Sequence, residues 1–189
     1  GTDKRQITMD KHDSARFIQS LIAFNTNKPI GSIYKKSFNK NSPELSNPVA
    51  QSKDPLVEIV AHCLNPNHYH LLISPLTEGG LSAFMQKFGT GFTQYFNSRY
   101  ERTGVLFQGA FKARHIVHND DLLRMSAYVN LNNRVHQLSN PVAKLVRSSW
   151  LEYTQNSKGI CTKSIVLEQF QSRQGYVSFA QKAVKESVS

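Results

Sequence analysis

Two histidines stand one residue apart in "LNPNHYHLLISP", residues 64–75, directly after an Asn-Pro-Asn turn and at the start of an apolar run. In a β-strand alternate side chains share a face, so His68 and His70 point one way and Tyr69 the other. Two neutral imidazoles at that spacing can ligate one divalent metal, which then needs one or two further ligands. They can equally be strand histidines making ordinary hydrogen bonds. Further along, Tyr128 and Asn132 are four apart in "AYVNLNN", a spacing that stacks them on one helical face. An amide oxygen there could complete a metal site while a tyrosine hydroxyl attacks whatever the metal polarises. The competing reading is a buried tyrosine on an amphipathic helix, followed by a capping-type asparagine. The absence of an HExxH motif and of a cysteine cluster argues against a metalloprotease or a structural zinc site.

The elements that must position these residues follow from periodicity. Residues 10–25 carry Phe17, Ile18, Leu21, Ile22 and Phe24 at helical spacing, with Asp13 as candidate cap. Residues 26–55 are rich in Asn, Ser, Lys and Pro and read as a long polar loop. "LVEIVAHCL" (56–64) and "HYHLLIS" (68–74) are strands, and the three-residue connection makes them an antiparallel hairpin. Residues 79–100 form a helix with Leu81, Phe84, Phe88, Phe92 and Phe96 on one face, and Gly89 and Gly91 allow close approach. Residues 105–117 read as a short extended piece followed by a strand, and 119–135 as a well-capped helix with two acids in its first turn. "SSWLEY" (148–153) reads as a docking segment, and two short helices close the chain. This order predicts an α+β fold, an antiparallel sheet sandwiched by helices with a small C-terminal helical extension.

Lysine and arginine outnumber acids 23 to 13, for a net charge of +10 and a pI near 9.7. That excess favours a polyanionic partner, most simply nucleic acid. A hydrophobic content of 39% points to a globular rather than a disordered chain. Cys63 and Cys161 form no CxxC motif or disulfide framework, so a reducing cytosol is the expected compartment. Cys63 lies in an apolar strand and reads as a core residue. The sequence has no apolar run of membrane-spanning length and does not open on a signal peptide, so no membrane association is expected.

Taken together, "NPNHYHLLISP", "RTGVLFQGA", "YVNLN" and "SSWLEY" resemble the single-tyrosine HUH transposases, in the insertion-sequence and REP-associated tyrosine transposase branch. The resemblance covers residues 1–155 in the family's order, leaving 156–189 as the C-terminal extension. It implies a compact HUH fold with a ferredoxin-like or RRM-like core. Position by position, His68 and His70 match the metal ligands, Tyr128 the nucleophile, and Asn132 the polar residue that completes the metal site. The implied cofactor is Mg²⁺ or Mn²⁺. The implied reaction is cleavage and rejoining of single-stranded DNA, at sites flanked by hairpins, through a 5′-phosphotyrosine. The implied setting is bacterial-type and nucleoid-associated. Relatives act as monomers or as homodimers that swap the tyrosine helix, and both states stay open.

Around these segments Lys87, Arg99, Arg102, Lys112 and Arg114 are candidate DNA contacts, and Phe107 and Phe111 could stack on bases or fill the core. His115 is a candidate helper for deprotonating the tyrosine, or a structural strand histidine. The sequence also departs from the family. The usual first strand ends in Asn-Arg-Gly just before the position of Gly1, so that strand is expected to be missing. Asn65 stands where the family has Met, Ala110 where Arg is frequent, and Asn133 where Pro follows Asn. Rival readings are a domesticated DNA-binding protein without activity, a metal-dependent nuclease using water, and a Rep- or relaxase-like initiator that shares the chemistry.

Overall fold

The computed structural model describes residues 5–29, 53–135, 142–155 and 157–188. It separates into two compact units, Gly1–Val57 with Pro75–Phe111, and Glu58–Ser74 with Lys112–Ser189. The chain is mixed α+β, with a three-stranded antiparallel sheet among the described residues. Most of the expected 26–55 loop, residues 30–52, lies outside the described residues.

The first unit is built on two helices, α1 (Lys11–Ala23) and α2 (Gly80–Arg99). The aromatic face anticipated for α2 is buried: Phe84, Phe88 and Phe92 are inaccessible, and Phe17 of α1 meets Phe88 and Phe92 edge-on at 4.9 and 5.2 Å. Gly91 is a point of close approach, because a Cβ there would overlap the Phe24 ring at 1.9 Å. Gly89 has no such neighbour. Phe107 packs on Phe88 and Phe92, at 6.4 and 6.3 Å between ring centroids, so it fills this core.

The cap of α1 is Asp10 rather than Asp13, with its carboxylate accepting from the Asp13 N–H at 2.9 Å. Asp13 lies one turn inside and is fully buried. Its carboxylate accepts from the Met9 N–H (2.8 Å), the hydroxyls of Tyr95 and Tyr100 (2.7 Å each) and the Arg99 guanidinium (2.6 Å). An apolar-periodicity argument finds the helix but cannot tell a cap from a buried acid one turn later.

The second unit holds the sheet, in the order β2-β1-β3. β1 (Val57–Leu64) is central and buried along nearly its whole length. β2 (Tyr69–Pro75) follows through a turn closed by the Asn65 N–H to the His68 carbonyl at 2.8 Å. So short a connection permits only antiparallel pairing. β3 (Arg147–Ser148) pairs antiparallel with the end of β1, placing Cys63 opposite Ser148 and Leu64 opposite Arg147. The remaining helices are α3 (Asn119–Asn130), α4 (Asn132–Val135), α5 (Trp150–Thr154), α6 (Ser164–Leu167) and α7 (Arg173–Val188). Val60, Ala61, Cys63, Ala127, Val129, Tyr153, Val166 and Tyr176 form one core cluster, so the C-terminal helices pack into this unit. Burial pushes the Cys63 thiol up to about 12, as suits a core residue.

Two expectations fail here. Residues 111–117 form no strand and are exposed apart from Ile116, which is half-buried. "FKARHIV" alternates Phe111, Ala113 and Val117 with Lys112 and Arg114, but His115 interrupts the apolar side and Phe111 and Val117 stay exposed, so no burial holds the segment in a sheet. The helix expected over 119–135 is also broken: Leu131 leaves the helical region at φ −112°, and Asn132 starts a separate turn. Three asparagines within "NLNN" favour such a break, since their side chains compete for backbone hydrogen bonds.

The Asp13 network yields a stability prediction. Replacing Asp13 by Ala leaves the Tyr100 hydroxyl, the Met9 N–H and part of a guanidinium without their buried acceptor, and is expected to destabilise the protein by about 3 kcal/mol. Asp10→Ala, which loses the cap and a partly exposed ion pair with Arg99, is expected to lose about 1–2 kcal/mol. Urea unfolding of both variants measures the difference.

Candidate metal and tyrosine site

The site grows from the turn that joins β1 to β2. The His68 ring is held on both nitrogens. Nδ1 lies 2.7 Å from Asn67 Oδ1, and Nε2 lies 3.0 Å from the side-chain nitrogen of Asn65. An amide nitrogen can only donate, so Nε2 accepts and the proton sits on Nδ1, where it bonds to Asn67. This tautomer presents a lone pair on Nε2, as metal-binding histidines do.

Asn65 reaches further. The same amide nitrogen donates to Asn132 Oδ1 at 2.7 Å, and Asn132 Oδ1 stands 3.4 Å from His68 Nε2. The break at Leu131 therefore does not remove Asn132 from the histidines. Its side chain is fully buried, and its oxygen converges with the His68 lone pair on one proton donor. The His70 ring lies edge-on to His68 at 5.2 Å and to Tyr128 at 5.6 Å. Asn132, His68, His70 and Tyr128 thus form a continuous run of neighbours within one unit.

This donor set fits a divalent cation. Two lone pairs aimed at the same positively polarised N–H group mark a place where positive charge is stabilised, and the His70 imidazole lies beside them. Nδ2 of Asn132 is buried without a hydrogen-bond partner, so this amide is held by its oxygen side. Imidazole and amide-oxygen donors without thiolates are a set that a divalent transition-metal ion accepts. Asn65 is the residue that sequence reasoning undervalued. It registered as a departure from the family pattern, whereas it links two candidate ligands.

Three other tyrosines near these segments sit in surroundings that disfavour the phenolate. Burial lifts the Tyr69 hydroxyl to about 12. Burial, together with hydrogen bonds to the Asp13 carboxylate, raises Tyr95 and Tyr100 well above the usual phenol range. His115 is exposed, and no described contact links it to Tyr128.

The basic residues divide by partner. In the first unit, Lys87 donates to the carbonyls of Thr26, Asn27 and Lys28 at 2.7, 3.3 and 3.3 Å. Arg99 pairs with Asp10 and Asp13 at 2.6 Å each. Arg102 lies over the Phe96 ring at 5.5 Å and lines a cavity with Arg5, Gln6, Met9 and Tyr100. In the second unit, Lys112 is exposed, and Arg114 makes a single 3.5 Å contact with Asp121, both residues open to solvent. Phe111 is exposed as well.

The family model described as "Transposase IS200 like" matches residues 32–132, more than half of the chain. The match takes in the histidine pair, the tyrosine and, as its last residue, Asn132. No curated protein and no solved structure matches the chain.

The His68 geometry predicts an imidazole in the Nδ1–H tautomer in the metal-free protein at neutral pH. Two-bond ¹H–¹⁵N correlation spectra of the ring distinguish the tautomers. An Nε2–H pattern would contradict the Asn65 and Asn67 bonding.

Proposed function

The chain belongs to the family of IS200-like transposases, and on that premise we propose that it cuts and rejoins single-stranded DNA with Tyr128 as nucleophile, at sites flanked by hairpins. The observation that carries the reading is the run Asn132–His68–His70–Tyr128, which sets a metal-type donor set beside one tyrosine.

His68, His70 and Asn132 hold the cation in this reading, with Asn65 and Asn67 orienting the first of them. When bound there, a divalent cation supplies Lewis-acid polarisation of the scissile phosphate. The Tyr128 hydroxyl gives its proton to solvent and attacks phosphorus. A Tyr–O–P bond forms to the 5′ side of the break, and the 3′ oxygen leaves and takes up a proton as a free hydroxyl. The His70 ring, edge-on to the phenol, fixes the direction of attack. One phosphodiester replaces another, so no nucleoside triphosphate is consumed, and attack by a second 3′-hydroxyl reverses the step and joins a new strand.

DNA contacts are assigned to Lys112 and Arg114, whose charges face solvent, and to Arg102 beside its aromatic neighbours. Lys87 and Arg99, both candidates from sequence, are already held by protein partners.

The deciding experiment incubates the protein with Mn²⁺ and labelled single-stranded DNA carrying a hairpin, then runs a denaturing gel. The expected result is a covalent protein–DNA band that requires Mn²⁺ and is lost in Tyr128→Phe. Free 5′-phosphate product without an adduct would replace this mechanism with hydrolysis by water. Tight binding without cleavage would leave a DNA-binding protein that has lost the reaction. Binding is also expected to weaken with salt, and Lys112→Ala and Arg114→Ala should each reduce the log–log salt slope by about 0.7. Equilibrium titrations at several salt concentrations measure that slope.

A further inference from the structure

Away from the tyrosine site, three elements of the second unit bring metal-ligating side chains together. His62 comes from β1, Glu152 from α5, and Cys161 from the segment between α5 and α6. One ligand atom from each lies within 4.8 Å of the other two. His62 and Glu152 are buried, and Cys161 is half-buried.

The spacing is more informative than the clustering. His62 Nε2 stands 3.5 Å from Glu152 Oε1, beyond the usual range of a good N–H···O bond. Two ligands at ordinary Zn–N and Zn–O distances around a tetrahedral ion stand about 3.3–3.4 Å apart. The other ring nitrogen, His62 Nδ1, is buried with no hydrogen-bond partner. A buried imidazole with so little hydrogen bonding is uncommon.

The surrounding backbone fits tightly around the carboxylate. Glu152 Oε2 accepts the Cys161 N–H at 3.0 Å, which leaves Oε1 to face His62. Gly159 passes so close that a Cβ would overlap the Glu152 carboxyl at 1.9 Å. The Thr162 N–H to Ile59 carbonyl bond at 2.9 Å ties this same segment to β1. By contrast, the acidic group Asp10, His12 and Asp13 in the first unit already holds a cation, the Arg99 guanidinium.

We propose that His62 Nε2, Glu152 Oε1 and Cys161 Sγ bind Zn²⁺, with water as the fourth ligand, and so tie the C-terminal segment to the central strand. One imidazole, one carboxylate and one thiolate are the mixed N, O and S donors that Zn²⁺ accepts. The two anionic ligands neutralise the ion, as a buried site requires. Binding converts the Cys161 thiol to thiolate and releases its proton to solvent. The ligands lie 90 and 9 residues apart in sequence, at 62, 152 and 161, so no local motif announces them. This site is independent of the transposition chemistry.

The test titrates the metal-free full chain with Co²⁺, a spectroscopic stand-in for Zn²⁺, and reads the thiolate-to-cobalt charge-transfer band. The band is expected in the wild type, in Cys63→Ala and in the His68→Ala/His70→Ala double variant, and Zn²⁺ should abolish it by displacement. It should be absent in Cys161→Ser. No band in the wild type, or an unchanged band in Cys161→Ser, overturns the proposal. Should Cys161→Ser fail to fold, His62→Gln decides. A Co²⁺ affinity at least about 10-fold weaker supports the site, and an unchanged affinity removes it. Because the double variant lacks the histidines of the tyrosine site, a failure there and a failure here give different patterns.

Discussion

The arrangement of the tyrosine site depends on one side chain in a four-residue turn. Asn65 closes the turn through its backbone N–H to His68, and its amide then donates to both His68 and Asn132. A turn between strands sets the direction of the strand that follows, but not the rotation of a half-buried ring. The two hydrogen bonds on His68 remove that freedom. Asn132 lies 67 residues beyond Asn65, yet its oxygen is fixed by the same amide. Because the amide nitrogen can only donate, both of its targets must be acceptors. That single requirement sets the His68 tautomer and the Asn132 orientation together.

The helix that carries Tyr128 is fixed by a second polar chain. Asn130 donates to the Tyr176 hydroxyl at 2.8 Å, and Ser149 donates to Asn130 Oδ1. Ser149 Oγ also accepts the His62 N–H at 2.9 Å. α3 is therefore tied to α7, to the start of α5 and to β1 by buried hydrogen bonds, which are directional where apolar packing is not. A slide of α3 along its axis would break several of these bonds in a buried setting. The consequence is a register for Tyr128 set by its neighbour two residues on. The C-terminal helix belongs to this support, since Tyr176 is both the fully buried partner of Asn130 and a member of the core cluster.

The features legible in the sequence were those with a period or a local motif. The β1–β2 hairpin, the aromatic stripe of α2 and the helix through Tyr128 all follow from apolar spacing and turn residues. The histidine pair and the tyrosine were visible as a pattern. What the sequence concealed depends on contacts between distant residues. Asp13 looked like a cap because helix starts and buried acids share the same local composition. The continuous helix over 119–135 was an extrapolation of periodicity through "NLNN", where asparagine side chains end the helix at Leu131. Asn65 looked like a substitution rather than a link, because its two partners lie 3 and 67 positions away. The His62, Glu152 and Cys161 group has no spacing signature at all.

Charge shows the same division between what a count gives and what placement decides. A net charge of +10 is a property of the whole chain, and it sets long-range attraction to a polyanion. Contact with a phosphate needs a cation that can leave its present partner. Arg99 makes two 2.6 Å bonds to carboxylates, one of them fully buried, and breaking these would leave a desolvated charge behind. Arg114 differs in kind. Among the described residues its one ion pair is a 3.5 Å approach to Asp121, with the side chains 74% and 41% exposed. A pair of that sort contributes little stability in water, so a phosphate can displace the carboxylate at almost no loss. Arginine and lysine at adjacent exposed positions of an irregular segment, 112–114, therefore supply more usable positive charge than the better-bonded arginine of α2. The segment that forms no strand keeps its basic side chains in solvent, and its alternate Phe111 and Val117 are exposed with them.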